Sequence, residues 1–320
     1  MNNNKKNRGG AQKKRSRSKK SRPSNNNNNN KKKVVAYKKG PIWSRPYDGH
    51  KLHPELEKVL AKPFLATIHV SPDVGGLTYP IADGSGRLAR LQGLHYRMLH
   101  RFFWRIKVNK GSSSKYGKSS SAAKGSNADG CLDMAICTGC APSNEASPYA
   151  AAVWNYWKRN NHQPVLSQLP VVLIAANCIT AGDYFTLHTD PRTQHVTLWL
   201  WELKTGYKAR PRDPKYMAPP LRHVPLTPRN RFQLQVLLTK IAYEKELGLK
   251  IDGGCRVIHV WEVKDTDVCD VEVLEPHQLD PPNWTEQVNV DELYAALNTK
   301  PRAKKKTTTT KKRKTKTTTK

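Results

Sequence analysis

The sequence predicts an all-β sandwich or barrel with long loops and few short helices, set between two disordered basic tails. Three observations carry this. At least eight segments between 64 and 274 read as strands. Helical periodicity is thin. The formal net charge of +31 is concentrated at the chain ends.

The charge distribution divides the 320 residues into three parts. Residues 1–40 hold 15 Lys and Arg and no acid, and 300–320 hold 11 and again no acid. Residues 41–299 carry 30 bases against 25 acids. The middle therefore reads as one folded domain, large enough to bury a core. Residues 1–33 contain no large apolar residue after Met1 and include the Asn25–Asn30 tract. Such a segment cannot bury enough surface to offset its ordering entropy. The Lys/Thr composition of 300–320 predicts an extended tail for the same reason.

Within the middle, 64–70 is apolar and β-branched and stops at Ser71-Pro72-Asp73. Residues 101–108 start aromatic and alternate from Trp104, and 131–137 read as a short strand. The apolar run 170–176 fits a strand covered on both faces. Residues 184–188, 195–203, 256–263 and 268–274 complete the set. Helical spacing is limited to 88–98, 149–157 and 291–297, with 232–247 open between helix and strand. Gly111–Gly130 predicts a long surface loop. Ala209–Asn230, with six Pro, predicts a second irregular stretch. Many strands and long loops favour a sandwich or barrel over an α/β fold.

Several classes are excluded or weakened. The longest mostly apolar stretch, Val165–Thr180, is broken by Ser167, Gln168 and Pro170, so no membrane span is expected. No apolar run follows the N-terminal bases, so no secretory signal is expected. The six Cys lack framework spacing and read as reduced thiols in an intracellular chain. Gly111-Ser-Ser-Ser-Lys-Tyr-Gly117-Lys118-Ser119 approaches a P-loop but has five residues between its glycines, and no helical pattern follows. Cys131, Cys137 and Cys140 lack a second close pair for zinc, with His162 as a distant fourth. His188-Thr189-Asp190 with His259 matches the spacing of a two-His-one-carboxylate iron site, though strand histidines explain it as well. Trp154, Tyr156, Trp157, Trp199 and Trp201 could stack on bases or pack in a core. No cofactor and no catalytic residue is expected.

The tails carry the strongest functional signal. Lys5, Lys6, Arg8, Lys13, Lys14, Arg15, Arg17, Lys19, Lys20, Arg22, Lys31, Lys32 and Lys33 form the N-terminal set. Lys304, Lys305, Lys306, Lys311, Lys312, Arg313 and Lys314 form the C-terminal one. Cations placed on phosphates release counterions and give sequence-independent, salt-sensitive nucleic-acid binding. The same runs would serve a nuclear import receptor.

Pro228-Arg229-Asn230-Arg231-Phe232-Gln233-Leu234-Gln235-Val236-Leu237 resembles the Arg-x-Arg-Phe/Tyr-Gln-Val segment in coat proteins of geminiviruses and related circular single-stranded DNA viruses such as genomoviruses. Leu234-Gln235 is an insertion relative to that pattern. The resemblance implies a single jelly roll and a strand over 232–239, with Arg229, Arg231, Phe232, Gln233 and Val236 as the motif residues. It implies a capsid protein, not an enzyme. The chain would form an icosahedral homo-oligomeric shell and package single-stranded nucleic acid, DNA on this resemblance, in the virion and the host nucleus. A chromatin- or ribosome-associated binder and an iron-dependent oxygenase with basic tails are the alternatives weighed.

Overall fold

The apolar segments between 162 and 274 pair into one sheet, and helices cover both of its faces. A computed structural model of the chain describes residues 52–63, 65, 69–71, 76–80, 88–103, 121–206, 215–263, 266 and 268–299. The expectations for both tails, the near-P-loop 111–119 and the strand from Trp104 lie outside these residues.

Helix α1 spans Pro54–Leu60, with Pro54 at its start and His53 accepting the Glu55 N–H. Strands β1 (His69–Ser71), β2 (Gly76–Pro80) and β3 (Leu88–Arg90) form a small antiparallel sheet. Strand β4 (Gln92–Gly93) leads directly into α2 (Leu94–Phe102). Helices α3 (Ser121–Thr138) and α4 (Pro148–Arg159) follow. Then come the long strands β5 (His162–Leu173), β6 (Cys178–Thr189) and β7 (Val196–Thr205) as an antiparallel meander. Helix α5 (Pro228–Ala242) crosses over to β8 (Gly254–Glu262), which lies parallel to β7. A parallel neighbour requires such a crossover. Strand β9 (Cys269–Leu274) closes the edge as a hairpin with β8, and α6 (Trp284–Gln287) and α7 (Val290–Asn298) end the domain.

The six-stranded sheet is mixed and open. Side-chain alternation shows why it needs two helical layers. On β7, Leu198 and Leu200 face α2, α5 and α7, where they join Leu94, Met98, Leu234, Leu238 and Leu297. Trp201 and Leu203 face the other way, onto Ala128, Leu132 and Ile136 of α3 and Val153 and Trp157 of α4. Burial on both faces makes the strands near-continuously apolar.

The expected all-β jelly-roll sandwich is therefore corrected to three layers, helix–sheet–helix. Residues 131–137, expected as a strand, are the last turns of α3. The 111–130 loop gives way to helix at Ser121. Arg101 and Phe102, expected to open a strand, end α2. The motif segment at 229–236 is helix α5, not a strand. Thr227 caps it by accepting the Asn230 N–H, and Pro228 occupies the first turn, where its missing N–H costs nothing.

One contact ties this helical layer to the middle of the sheet. Past the end of α5, Tyr243 is fully buried, and its hydroxyl donates to the Leu169 carbonyl and accepts the Gly182 N–H at 2.6 Å. Gly182 has no room for a side chain: a Cβ there would stand 2.5 Å from Leu200 Cδ1. Tyr243→Phe should leave a buried donor and acceptor unmet and lower stability by about 1–3 kcal/mol. A urea midpoint unchanged from the parent chain would show the hydroxyl to be dispensable.

Candidate active site

Strands β6 and β7 pair from Thr189↔Val196 to Tyr184↔Trp201 and then part. At the parting, Asp183 turns its carboxylate into the gap, and Oδ2 accepts the Leu203 N–H at 2.7 Å. Opposite Asp183 on β5, Gln168 sits in the left-handed region at φ 53°, a local irregularity in the ladder. Glu202 and Lys204, two residues apart on β7, share the α5 face of the sheet. Glu202 is 2% exposed and is hydrogen-bonded by the Lys204 ammonium.

Helix α5 completes the cluster. Gln235 Nε2 donates to Glu202 Oε1 at 2.5 Å, and its Oε1 faces His95 Nδ1 at 3.1 Å. An amide whose NH2 is committed to Glu202 presents its oxygen to His95. The Nδ1 atom therefore carries the proton and Nε2 keeps its lone pair. Lys204 lies 5.7 Å above the Phe232 ring, and Arg231 lies 5.3 Å from the same ring. From the other face, α3 supplies Asp129, whose Oδ1 accepts from the Tyr184 hydroxyl at 2.9 Å. Gly125 permits this approach, because a Cβ there would stand 2.9 Å from Thr205 Oγ1.

The electrostatics are unbalanced. Asp183 and Glu202 lie about the Lys204 ammonium, with Asp129 on the other face of the sheet and the Arg231 guanidinium bordering the cluster. Burial, and then the neighbouring Glu202 charge, push the Asp183 carboxyl well above its ordinary range. Burial raises Glu202, although Lys204 opposes it. Burial also raises Asp129. For Lys204, burial works against the charge, but Glu202 and Asp183 more than offset it, so the amine stays cationic. His95 is lowered, first by desolvation, and is neutral near pH 7. Carboxyls held above their ordinary range are groups that a divalent cation would return to the ionised form. Among the described residues no three His, Cys, Asp or Glu side chains stand at metal-ligand spacing. Magnesium does not require three: it commonly takes one or two carboxylates and fills its other positions with water and substrate phosphate.

The residues singled out from sequence are dispersed differently. The tail lysines and arginines lie outside the described residues. On α5, Arg229 pairs with Glu272 of β9 at 2.5 Å. Gln233 and Val236 are buried, and Arg231 and Phe232 border the cluster. Asp183, Glu202, Lys204, Gln235 and His95 were not anticipated. A signal existed for three of them: charged residues interrupt strands that are otherwise apolar.

The iron-site alternative does not assemble. His188 packs on His162 with ring centroids 4.8 Å apart, while Asp190 accepts the Arg192 and Thr193 N–H groups in the β6–β7 turn. His259 pairs across from Lys204, and His188 across from Thr197. Those partners lie seven residues apart on β7, roughly 23 Å at the rise of a strand. Cys131, Cys137 and Cys140 are free thiols. The tryptophans divide: Trp157 and Trp201 are core, while Trp154 and Trp199 pack half-buried against it. Among the described residues no helix is long and apolar enough to cross a membrane.

Compared with protein-family models, curated proteins and solved structures, the chain matches none.

Proposed function

We propose that this chain is a divalent-metal-dependent phosphodiesterase that hydrolyses nucleic acid. The observation that carries the reading is the Asp183–Glu202–Lys204 cluster where β6 and β7 part, with Glu202 buried at its centre. Two carboxylates that resist ionisation alone, with one fixed ammonium beside them, suit a site completed by a divalent cation and a phosphate. Asp183 and Glu202 would hold the ion, which would supply the charge that polarises a phosphoryl oxygen and acidifies a water.

The protein's own groups then have distinct tasks. Lys204, held as a cation, stabilises the charge that builds on the phosphoryl oxygens as water attacks. Gln235 fixes the Glu202 carboxylate and the His95 ring relative to each other. Arg231 Nε is buried without a hydrogen-bond partner among the described residues, and the guanidinium would offer its other nitrogens to a phosphate of the substrate. The reaction consumes one water. Its oxygen bonds to phosphorus, one bridging P–O bond breaks, and the departing alkoxide takes a proton. The basic runs at 1–40 and 300–320 supply substrate affinity without base specificity.

The test is incubation of the purified full chain with labelled single- and double-stranded oligonucleotides. Shorter products are expected with Mg2+ or Mn2+ and none with EDTA. Intact substrate under all conditions overturns the reading.

A second reading rests on the charge division. Two polycations around a near-neutral domain also suit a shell subunit that packages a single-stranded genome, here built on a three-layer domain instead of a jelly roll. Particle size separates the two. Sedimentation of a shell of about 20 nm would favour packaging, and a small species favours the enzyme.

A further inference from the structure

Helix α2, which carries His95, also lines a cavity of about 520 Å³ that the proposed chemistry does not use. Gln92, Gly93, Tyr96, Arg97 and Asn177 are among its walls. Its size falls within the range of small-ligand pockets and suffices for one nucleotide. We propose that it is a nucleotide subsite, in which an unpaired base of a single strand stacks on Tyr96 while a nearby phosphate of that strand lies in the catalytic cluster. The proposal rests on the phosphodiesterase reading.

Five observations support it. Tyr96 is 46% exposed, unusual for a large aromatic ring beside a cavity wall, and it follows His95 directly in sequence. Its ring contacts the His100 ring, one turn on, with centroids 4.2 Å apart. A fixed, half-exposed ring is a stacking platform for any base. The floor is open: Gly93 starts α2 without a side-chain cap, and a Cβ there would meet nothing within 4 Å.

The distance also suits a strand. Gly93 pairs with Ile179 of β6, four residues before Asp183. That separation is roughly 13 Å at the rise of a strand, or about two nucleotides of extended single strand. A base seated in the cavity has left any duplex, so the substrate this geometry selects is single-stranded or frayed.

The last observation concerns the basic tail. Arg97, in the cavity wall, donates from Nε to the Leu297 carbonyl and from Nη2 to the Thr299 carbonyl, at 3.1 and 3.0 Å. Thr299, the last described residue, is therefore tied to the cavity wall. The next residue, Lys300, begins the run with 11 Lys and Arg and no acid.

The experiment compares the full-length parent with Tyr96→Ala and Tyr96→Phe on two substrates. One is a single-stranded 12-mer carrying 2-aminopurine. The other is bis(p-nitrophenyl) phosphate, too small to span both sites. Tyr96→Ala should raise KM for the 12-mer roughly 5- to 100-fold, the range for losing one stacked base. Turnover of the small diester should not change, and Tyr96→Phe should stay within about twofold of the parent, since the ring is kept. An unchanged KM in Tyr96→Ala overturns the subsite. So does an equal loss on both substrates, which would place Tyr96 in the catalytic centre, or an equal loss in Tyr96→Phe. If the parent hydrolyses neither substrate, the catalytic reading fails separately. The subsite is then judged by 2-aminopurine quenching on binding: a Tyr96-dependent affinity sustains it, and a Tyr96-independent one removes it.

Discussion

Lys204→Met should abolish nucleic-acid cleavage while leaving divalent-ion binding intact. Asp183→Asn and Glu202→Gln should abolish both. The distinction follows from the charges. The methionine stem keeps the packing over Phe232 but removes the cation that faces the developing phosphoryl charge. Loss of one such electrostatic contact in a dry site lowers turnover by at least about 10²–10³-fold. The same change leaves Asp183 and Glu202 more negative, so the affinity for a cation is kept or raised. Neutralising either carboxylate halves the charged ligand pair. Single-turnover cleavage together with Mn2+ titration by calorimetry reads both effects. Equal loss of metal binding in all three variants would place Lys204 in a structural role.

The metal-free cluster should also weaken the fold as pH rises, and a divalent ion should reverse this. Asp183 and Glu202 have folded-state pKa values raised above those of the unfolded chain. Between the two values the native state binds more protons, so stability falls with increasing pH. His95, lowered in the fold, contributes with the opposite sign, and a comparison with Asp183→Asn cancels it. The metal-free Asp183→Asn variant should therefore gain on the metal-free parent as pH is raised from 5 to 8. With ion present at about 100 times its Kd, the parent should gain about 2.7 kcal/mol. That corresponds to a rise in Tm of roughly 5–10 °C for a domain of this size, shrinking toward pH 5 as protons compete. Thermal scans with Mn2+ and with EDTA check it. A metal shift that is the same at pH 5 and pH 8 contradicts the carboxylate assignment.

The strands were readable because they are buried on both faces. The apolar runs at 195–203 and 256–263 lie within β7 and β8 apart from one end residue each, and the first four residues of 170–176 end β5. What covers those faces was not readable. Helix α3 carries Gly125 and Gly130 and a largely polar first half, so its intrinsic propensity is poor. It is helical because Ala128, Leu132 and Ile136, four residues apart, lie on the sheet. In α5, Phe232-Gln-Leu-Gln-Val236 alternates like a strand for five residues. The cap at Thr227 and the run Leu237, Leu238, Ile241 decide for helix. Once that layer is helical, the sandwich becomes three layers.

The cluster was half legible. Gly182-Asp183 and Glu202-Leu203-Lys204 place charge inside apolar strands, a pattern that packing alone does not produce. The i, i+2 spacing of Glu202 and Lys204 puts both on one face of a strand without any tertiary knowledge. Gln235 and His95 carry no such mark. They reach Glu202 only because the β7–α5–β8 crossover lays α5 over the parting strands and α2 against α5.

The most direct measurement is cleavage of a labelled single strand by the purified full-length chain in Mn2+, run beside Asp183→Asn. The cluster at the parting of β6 and β7 requires products from the parent, none from the variant, and none from either in EDTA. An inert parent, or a variant that cleaves as fast, contradicts it.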